Sequence, residues 1–395
     1  MPQPSRAWRS AWSLPSDVTF LNHGSFGLVP FDVQAARQEW QRRLYANPMN
    51  FFIREMEVAL VQAAEKLGRL VGAAPRDLAF VDNATMGMNI VAQSVVLEPG
   101  DEVLLTNHEY GAVRRIWQKR CDRSGARLVI RNLPQPLGST TELVDQLFSA
   151  VTARTKLLVF SQISSPTAVI LPAEEICRRA REAQVPVCID GPHAVGVVPL
   201  NLEQLGCDYY CASCHKWLCA PNGSGFLYVS RKHQSQLNPL IVSWGGSIAG
   251  RAATWQDEFN WQGTRDPAAY LAIPAAIDFF ERIGWETFRH RTHELAAFAR
   301  KNITELTGLD ALVPDSPEWY GPMISLPLPL QGLSAPPQGQ RDPLQDRLWS
   351  EHQIEVPITW WHGQRLVRVS CHLYNDFDDI ERLVKALDRA ILAPV

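Results

Sequence analysis

The chain has 395 residues, 46% hydrophobic and 20% charged, ordinary for a soluble globular protein and enough for two domains around a large core. Thirty-eight basic against 41 acidic residues leave a formal charge of −3, which excludes the basic footprint of a nucleic-acid binder. The opening MPQPSRAWRSAWSLPSD has no apolar core of signal-peptide type, and no segment reaches transmembrane length, so no membrane association is expected. Eight cysteines, several inside apolar runs such as Val185–Asp190, read as reduced, buried thiols of a cytoplasmic protein. Cys211 and Cys214 form one CxxC, but no second Cys/His pair stands at zinc spacing, so no metal is expected. Only seven lysines are present, which makes the search for a catalytic one short.

Taken in order, Phe20–Pro30 (FLNHGSFGLVP) is rich in glycine and turn residues and reads as a loop. Phe31 to about Val71 carries helical periodicity and stops near Gly72. Strands are then expected at Leu78–Val81, Glu102–Thr106, Arg127–Arg131, Lys156–Ser161, Val185–Asp190, Cys207–Ala212 and Gly225–Ser230. Helical stretches fall between most of them, near Met86–Val96, Val113–Ser124 and Ala173–Ala183. Continuous apolar strands alternating with helices indicate a mainly parallel α/β sheet covered on both faces. From Ala268 the style changes. A helical region over Ala268–Ile283 is followed by strands in ISLPLPL and RLVRVS, with a Gly/Pro/Gln-rich loop (Gln331–Pro343) and a short helix near Leu344–His352 between them. The expected division is a large domain over 20–267 and a smaller α+β domain over 268–395, joined by residues 1–19.

Ligands of parallel α/β sheets bind beyond the carboxyl ends of the strands, so polar residues directly after apolar strands are the candidates. Asp190 ends VPVCID, where a carboxylate can keep a pyridinium nitrogen protonated; alone it also reads as a turn or capping aspartate. Lys216 follows the next strand in Ser213-Cys214-His215-Lys216, 26 residues later. A lysine there can form a Schiff base and serve as a base at a substrate α-carbon; alone it also reads as a solvated loop residue. Ser213 to Lys216 also spells SxxK, but the companion SDN and KTG triplets of penicillin-recognising enzymes are absent. In LAFVDNATMGMNIV a strand, the turn Asn83-Ala84-Thr85 and a helix follow one another, a suitable site for a phosphate, although Asn and Thr are ordinary caps too. In RLVRVS, alternation puts Val367 and Val369 on one face and Arg368 on the other, where it could grip a carboxylate or stand at the surface.

The order NAT turn, strand-end Asp and SCHK resembles class V aminotransferases, the fold type I group that includes cysteine desulfurases. The resemblance runs from about Phe20 to Leu387. FLNHGSFG, NHEYGAV, DGPHAVG, SCHKWL, QGTRDPAAYLAIPAAIDF and VRVSCHLYN are most similar to isopenicillin-N-epimerase-like proteins, whose neighbourhood includes a fungal-type C–S lyase of ergothioneine synthesis. It implies pyridoxal 5'-phosphate bound covalently to Lys216, with Asp190 on the pyridine nitrogen. Tyr110 stands where desulfurases stack a histidine on the cofactor ring. His193 matches the polar residue near the phenolic oxygen, with Ser164 or Ser165 nearby. The phosphate would be held by Ala84, Thr85, Ser213 and His215, and by Gly263 and Thr264 of a second subunit, which implies a homodimer with shared sites. Asn22 and His23 lie on a loop that approaches the substrate, so His23 is a candidate acid or base beside an ordinary loop role. Arg368 would take the substrate carboxylate.

Three reactions compete at the α-carbon of an amino acid. An epimerase or racemase would use Lys216 on one face and Tyr110 or His23 on the other. A β-eliminating C–S lyase, of the hercynylcysteine sulfoxide or cysteine type, would expel sulfur from the same carbanion. A cysteine desulfurase needs a nucleophilic cysteine on a loop before the carboxylate-binding arginine, and His352–Gln364 contains none. Transamination is the remaining family reaction. The tryptophans Trp244, Trp261, Trp360 and Trp361 suggest either a bulky substrate or packing at a junction.

Overall fold

The computed structural model describes residues 8–337 and 339–392, so residues 1–7 of the N-terminal segment assigned to the small domain lie outside it. Twelve strands are formed among the described residues. These are β1 (Thr19–Phe20), β2 (Leu78–Val81), β3 (Glu102–Thr106), β4 (Arg127–Arg131), β5 (Thr155–Ser161), β6 (Val187–Asp190), β7 (Tyr209–Ser213), β8 (Gly225–Val229), β9 (Met323–Leu328), β10 (Ile354–Glu355), β11 (Ile358–Trp361) and β12 (Gln364–Ser370). The main helices are α1 (Phe31–Ala46), α2 (Met56–Val71), α3 (Ala84–Ser94), α4 (Gly111–Ser124), α5 (Thr140–Phe148), α6 (Ala173–Glu182), α7 (Ile273–Ile283), α8 (Trp285–Thr307), α9 (Pro343–His352) and α10 (Phe377–Leu392).

Seven strands make one sheet in the order β2-β8-β7-β6-β5-β3-β4. β4, β3, β5, β6 and β7 run parallel, while β8 is antiparallel to both β7 and β2. The apolar strands bury alternate residues on the two faces. Leu104, Leu158, Phe160 and Ile189 face one core, while Val103, Leu105, Val159 and Cys188 face another beneath α3 and α4. A smaller antiparallel sheet, β11-β12-β9, is packed against α8, and α8 against α10. β1 joins the chain's two ends by pairing parallel to β10.

The sequence reading differs from the structure in two places. The helical run from Phe31 is broken at Asn47-Pro48, because proline cannot donate to the preceding turn, and re-enters through a π-helical segment, Phe51–Glu55. The segment His352–Gln364, read as a loop before Arg368, contains β11, whose Trp360 pairs with Arg365 across a tight hairpin. Its turn carries His362 and Gly363 at positive φ. No helix among the described residues is long and apolar enough to cross a membrane.

Candidate active site

The carboxyl ends of β5, β6 and β7 lie side by side, and the parallel register sets Ser161 against Asp190 and Asp190 against Cys211. Asp190 is therefore buried at the sheet's edge, and the turn after β7 brings Lys216 toward it. The approach is close enough that a Cβ on Gly27 would lie 2.6 Å from the Lys216 carbonyl oxygen, so the loop 22–30 can back onto the lysine only with glycine there.

Lys216 Nζ lies 3.2 Å from His193 Nε2, and Trp217 Nε1 donates to His193 Nδ1 at 3.1 Å. An indole N–H only donates, so the proton of the neutral His193 ring sits on Nε2 and points at the lysine. Lys216 then accepts it, which requires a free amine. Electrostatics agree. Desolvation and the positive charge of Arg368 draw the Lys216 ammonium below its ordinary range, with Asp190 offsetting part of this. Burial likewise pushes the Asp190 carboxyl up, against the pull of Lys216 and of the Ser161 hydroxyl.

Arg368 projects from the face of β12 opposite Val367 and Val369, both of which are in the core. It is 5% exposed and has no carboxylate partner among the described residues. Its Nη1 donates to the Ser165 carbonyl (2.8 Å) and Oγ (3.1 Å), its Nη2 to Ser25 Oγ (2.5 Å), and its Nε–H is buried without an acceptor. Burial lowers its pKa to about 10. A buried guanidinium with neutral partners and a spare N–H is suited to an incoming carboxylate.

At the N-terminus of α3, Asn83 caps by accepting from Met86 N, and Ala84 N donates to Ser213 Oγ at 3.0 Å. The hydroxyl hydrogen of Ser213 and the exposed Thr85 hydroxyl are uncommitted, as an anion site requires. Gly87 lets α3 sit directly on β7, where a Cβ would lie 3.3 Å from Cys211. His215 Nδ1 donates to the Ser224 carbonyl at 3.2 Å, so only a doubly protonated ring could also donate from Nε2. Tyr110, the N-cap of α4, is 48% exposed and lies within electrostatic range of Arg368.

Other expected site residues are placed differently. His23 is fully buried. Its Nε2 donates to the Lys216 carbonyl (3.0 Å) and its Nδ1 accepts from Tyr374 (2.8 Å). Desolvation lowers its pKa to about 3, so the acid–base role does not fit; it braces the lysine's backbone instead. It also stacks on His372 at 4.0 Å, and Cys219 Sγ lies 3.5 Å from His372 Nε2. Ser164 is spent in a local network, donating to the His108 carbonyl and accepting from Thr167; Ser165 faces Arg368 in its place. Asn22 reaches Glu355 at 3.4 Å and leaves its Oδ1 buried and unpartnered. Gly263, at φ 106°, and exposed Thr264 touch none of these side chains; the next residue, Arg265, anchors the loop to Asp82 and Tyr270. Trp361 packs on His108 and donates to the Asn107 carbonyl, Trp360 bonds Asp342, Trp261 is buried and Trp244 is 75% exposed.

The sequence reading missed Ser25, Trp217 and Glu109, and it left open the choice between Ser164 and Ser165. Glu109 sits three residues past the end of β3, so the strand-end rule that found Asp190 could have found it too.

Pyridoxal phosphate fits this arrangement: a buried strand-end acid, an amine lowered toward neutrality, and hydroxyl hydrogens free at a helix N-terminus. Residues 21–335 match the family model for class-V aminotransferases. An isopenicillin N epimerase from Amycolatopsis lactamdurans is 39% identical, over 96% of this chain and 98% of that protein. A putative L-cysteine desulfhydrase from Oryza sativa subsp. japonica is 29% identical, over 95% and 83%. The apo structure of a cysteine desulfurase from Thermococcus onnurineus NA1 superposes with a TM-score of 0.82 at 20% identity, covering 98% of each chain, a likeness of fold.

Proposed function

This chain belongs to the class-V aminotransferases and is a pyridoxal-phosphate enzyme of fold type I, and from that premise we propose that it epimerises or racemises an amino acid at the α-carbon. The observation that carries this reading is Arg368, buried beside Lys216 with no carboxylate of its own. The cofactor supplies an electron sink for charge left at the α-carbon. Asp190 would face the pyridine nitrogen. Ala84, Thr85, Ser213 and His215 would hold the phosphate. Arg368 orients the amino acid by its carboxylate in a two-pronged grip. Lys216, its ammonium pKa lowered to about 8 by burial and by Arg368, takes the α-proton on one face from its free-amine form. Tyr110, half-exposed at the start of α4, is assigned the return of a proton on the other.

C–S lysis is the second reading, supported by the similarity to an L-cysteine desulfhydrase. A desulfurase mechanism is disfavoured, because all eight cysteines are buried and free. Such thiols also suit a reducing compartment such as the cytoplasm. A homodimer is proposed from the exposed apolar residues Ile241, Val242 and Trp244, with Gly263 and Thr264 completing the partner's phosphate site. Mixing Lys216→Ala with Thr264→Ala chains should then restore activity neither has alone.

The deciding experiment incubates the enzyme with a panel of amino acids in heavy water. Epimerisation gives α-deuterium and inverted product without pyruvate or thiol. Release of pyruvate or thiol with no inversion would overturn the epimerase in favour of the lyase.

A further inference from the structure

Behind Asp190 lies a second buried carboxylate. Glu109 is 4% exposed and has no cationic partner among the described residues. Thr106 Oγ1 donates to its Oε1 at 2.7 Å, and Ser161 Oγ lies 2.6 Å from its Oε2. The Thr106 oxygen is itself occupied by the His108 N–H at 3.1 Å. Ser161 stands in register with Asp190, and its hydroxyl is close enough to draw that carboxyl's pKa down against burial. A hydroxyl has one hydrogen. When Ser161 gives it to Glu109, Asp190 can meet the same oxygen only as a protonated acid. When Ser161 gives it to Asp190, Glu109 must be the acid.

We propose that Glu109 is a positioning residue that stores the proton Asp190 must lose, with Ser161 as the relay between them. This rests on the reading that Asp190 meets the cofactor's ring nitrogen. The step is balanced: Asp190 gives its proton to the Ser161 oxygen while Ser161 passes its own to Glu109 Oε2, so one proton moves and the total is unchanged. The charged and titratable groups around the pair are unequal. Lys216, beyond β7, faces Asp190 electrostatically, with Arg368 of β12 beside that lysine. Glu109 meets the two hydroxyls from β3 and β5, and His108 beside it is held neutral by burial. A positive charge brought next to Asp190, as a protonated ring nitrogen would bring, therefore tips the proton toward Glu109. Desolvation, and secondarily the neighbouring Asp190 charge, push the Glu109 carboxyl up to about 7, against the two hydroxyl hydrogen bonds.

The test is infrared spectroscopy of the cofactor-loaded wild-type protein carrying 13C side-chain carboxyls in glutamate or, separately, in aspartate. At pH 6 a carboxylic-acid carbonyl band is expected to shift with the glutamate label, to titrate with a midpoint near 7, and to be absent from Glu109→Gln. A band that shifts with the aspartate label instead, or no acid band at pH 6, overturns the proposal. The labelled wild type needs no variant to fold. Failure of the underlying reading would be visible separately, as protein that binds no pyridoxal phosphate reducible onto Lys216 by borohydride.

Discussion

Arg365 and Arg368 stand three residues apart on β12, both buried and on opposite faces of the strand. Arg365 meets Asp342 through two parallel hydrogen bonds, 2.8 Å from Nε and 2.5 Å from Nη2, and Trp360 adds a third to the same carboxylate at 2.8 Å. Arg368 meets a carbonyl and two hydroxyls. One arginine is neutralised within the chain and fastens the loop 331–343 to the small sheet. The other keeps its charge open at the price of stability. The difference shows that burial alone does not mark a functional arginine; burial without a counter-ion does.

Breaking the paired end should cost the fold most. Arg365→Ala strands the Asp342 carboxylate in a buried place, and losing one partner of such a pair typically costs about 3–5 kcal/mol. The denaturant midpoint should fall while borohydride still labels Lys216; a variant as stable as wild type would erase the contrast. Arg368→Ala should do the reverse. Its kcat/KM for amino acids should drop by the equivalent of roughly 2–5 kcal/mol, with thermal stability equal to or above wild type. Arg368→Lys should recover only part, since an ammonium lacks the paired planar donors. Full turnover by Arg368→Ala would show that the carboxylate binds elsewhere.

Acid should separate the two ends more gently. Burial holds His23 and His108 neutral, each with its pKa lowered to about 3. The unfolded chain takes up those protons below about pH 6.5, so this stability is present above that value and declines as pH falls toward 3. At pH 5 each such histidine should already have withdrawn on the order of 2 kcal/mol. Burial opposes ionisation of Asp342, but hydrogen bonds from Arg365, Leu344 N and Trp360 hold its pKa below the usual value. Its contribution is therefore intact above about pH 4 and lost only below. Urea midpoints measured from pH 7.5 to 5 should fall in wild type and fall less in His23→Gln; equal slopes would refute the assignment.

All seven strands of the large sheet were legible in the sequence, because buried parallel strands are near-continuous apolar runs. Asp190 and Lys216 were legible for the related reason that polar residues break such runs at their ends. What escaped depends on register or on hydrogen-bond direction. That Ser161 adjoins Asp190 follows from how β5 and β6 align, which neither strand states alone. Ser165, not Ser164, faces Arg368 because a turn rotates the pair, a difference of one residue that no pattern resolves. His23 drew notice as a loop histidine, yet its two nitrogens are claimed by residues far along the chain. β11 was hidden by its hairpin, whose turn is made by His362 and Gly363 at positive φ, a conformation uncommon outside glycine.

The bracing of Lys216 by His23 and Tyr374 has a temporal side. Those two residues are 351 positions apart, and Tyr374 is synthesised well after the last strand of the seven-stranded sheet. A growing polypeptide can finish the seven-stranded sheet, with Asp190 and Lys216 in place, long before Tyr374 leaves the ribosome. Until then the turn bearing the lysine lacks its brace, and Arg368 has not arrived. Reactive aldehyde chemistry thus has no complete pocket until β12 and Tyr374 have been made, well after the sheet that carries Lys216.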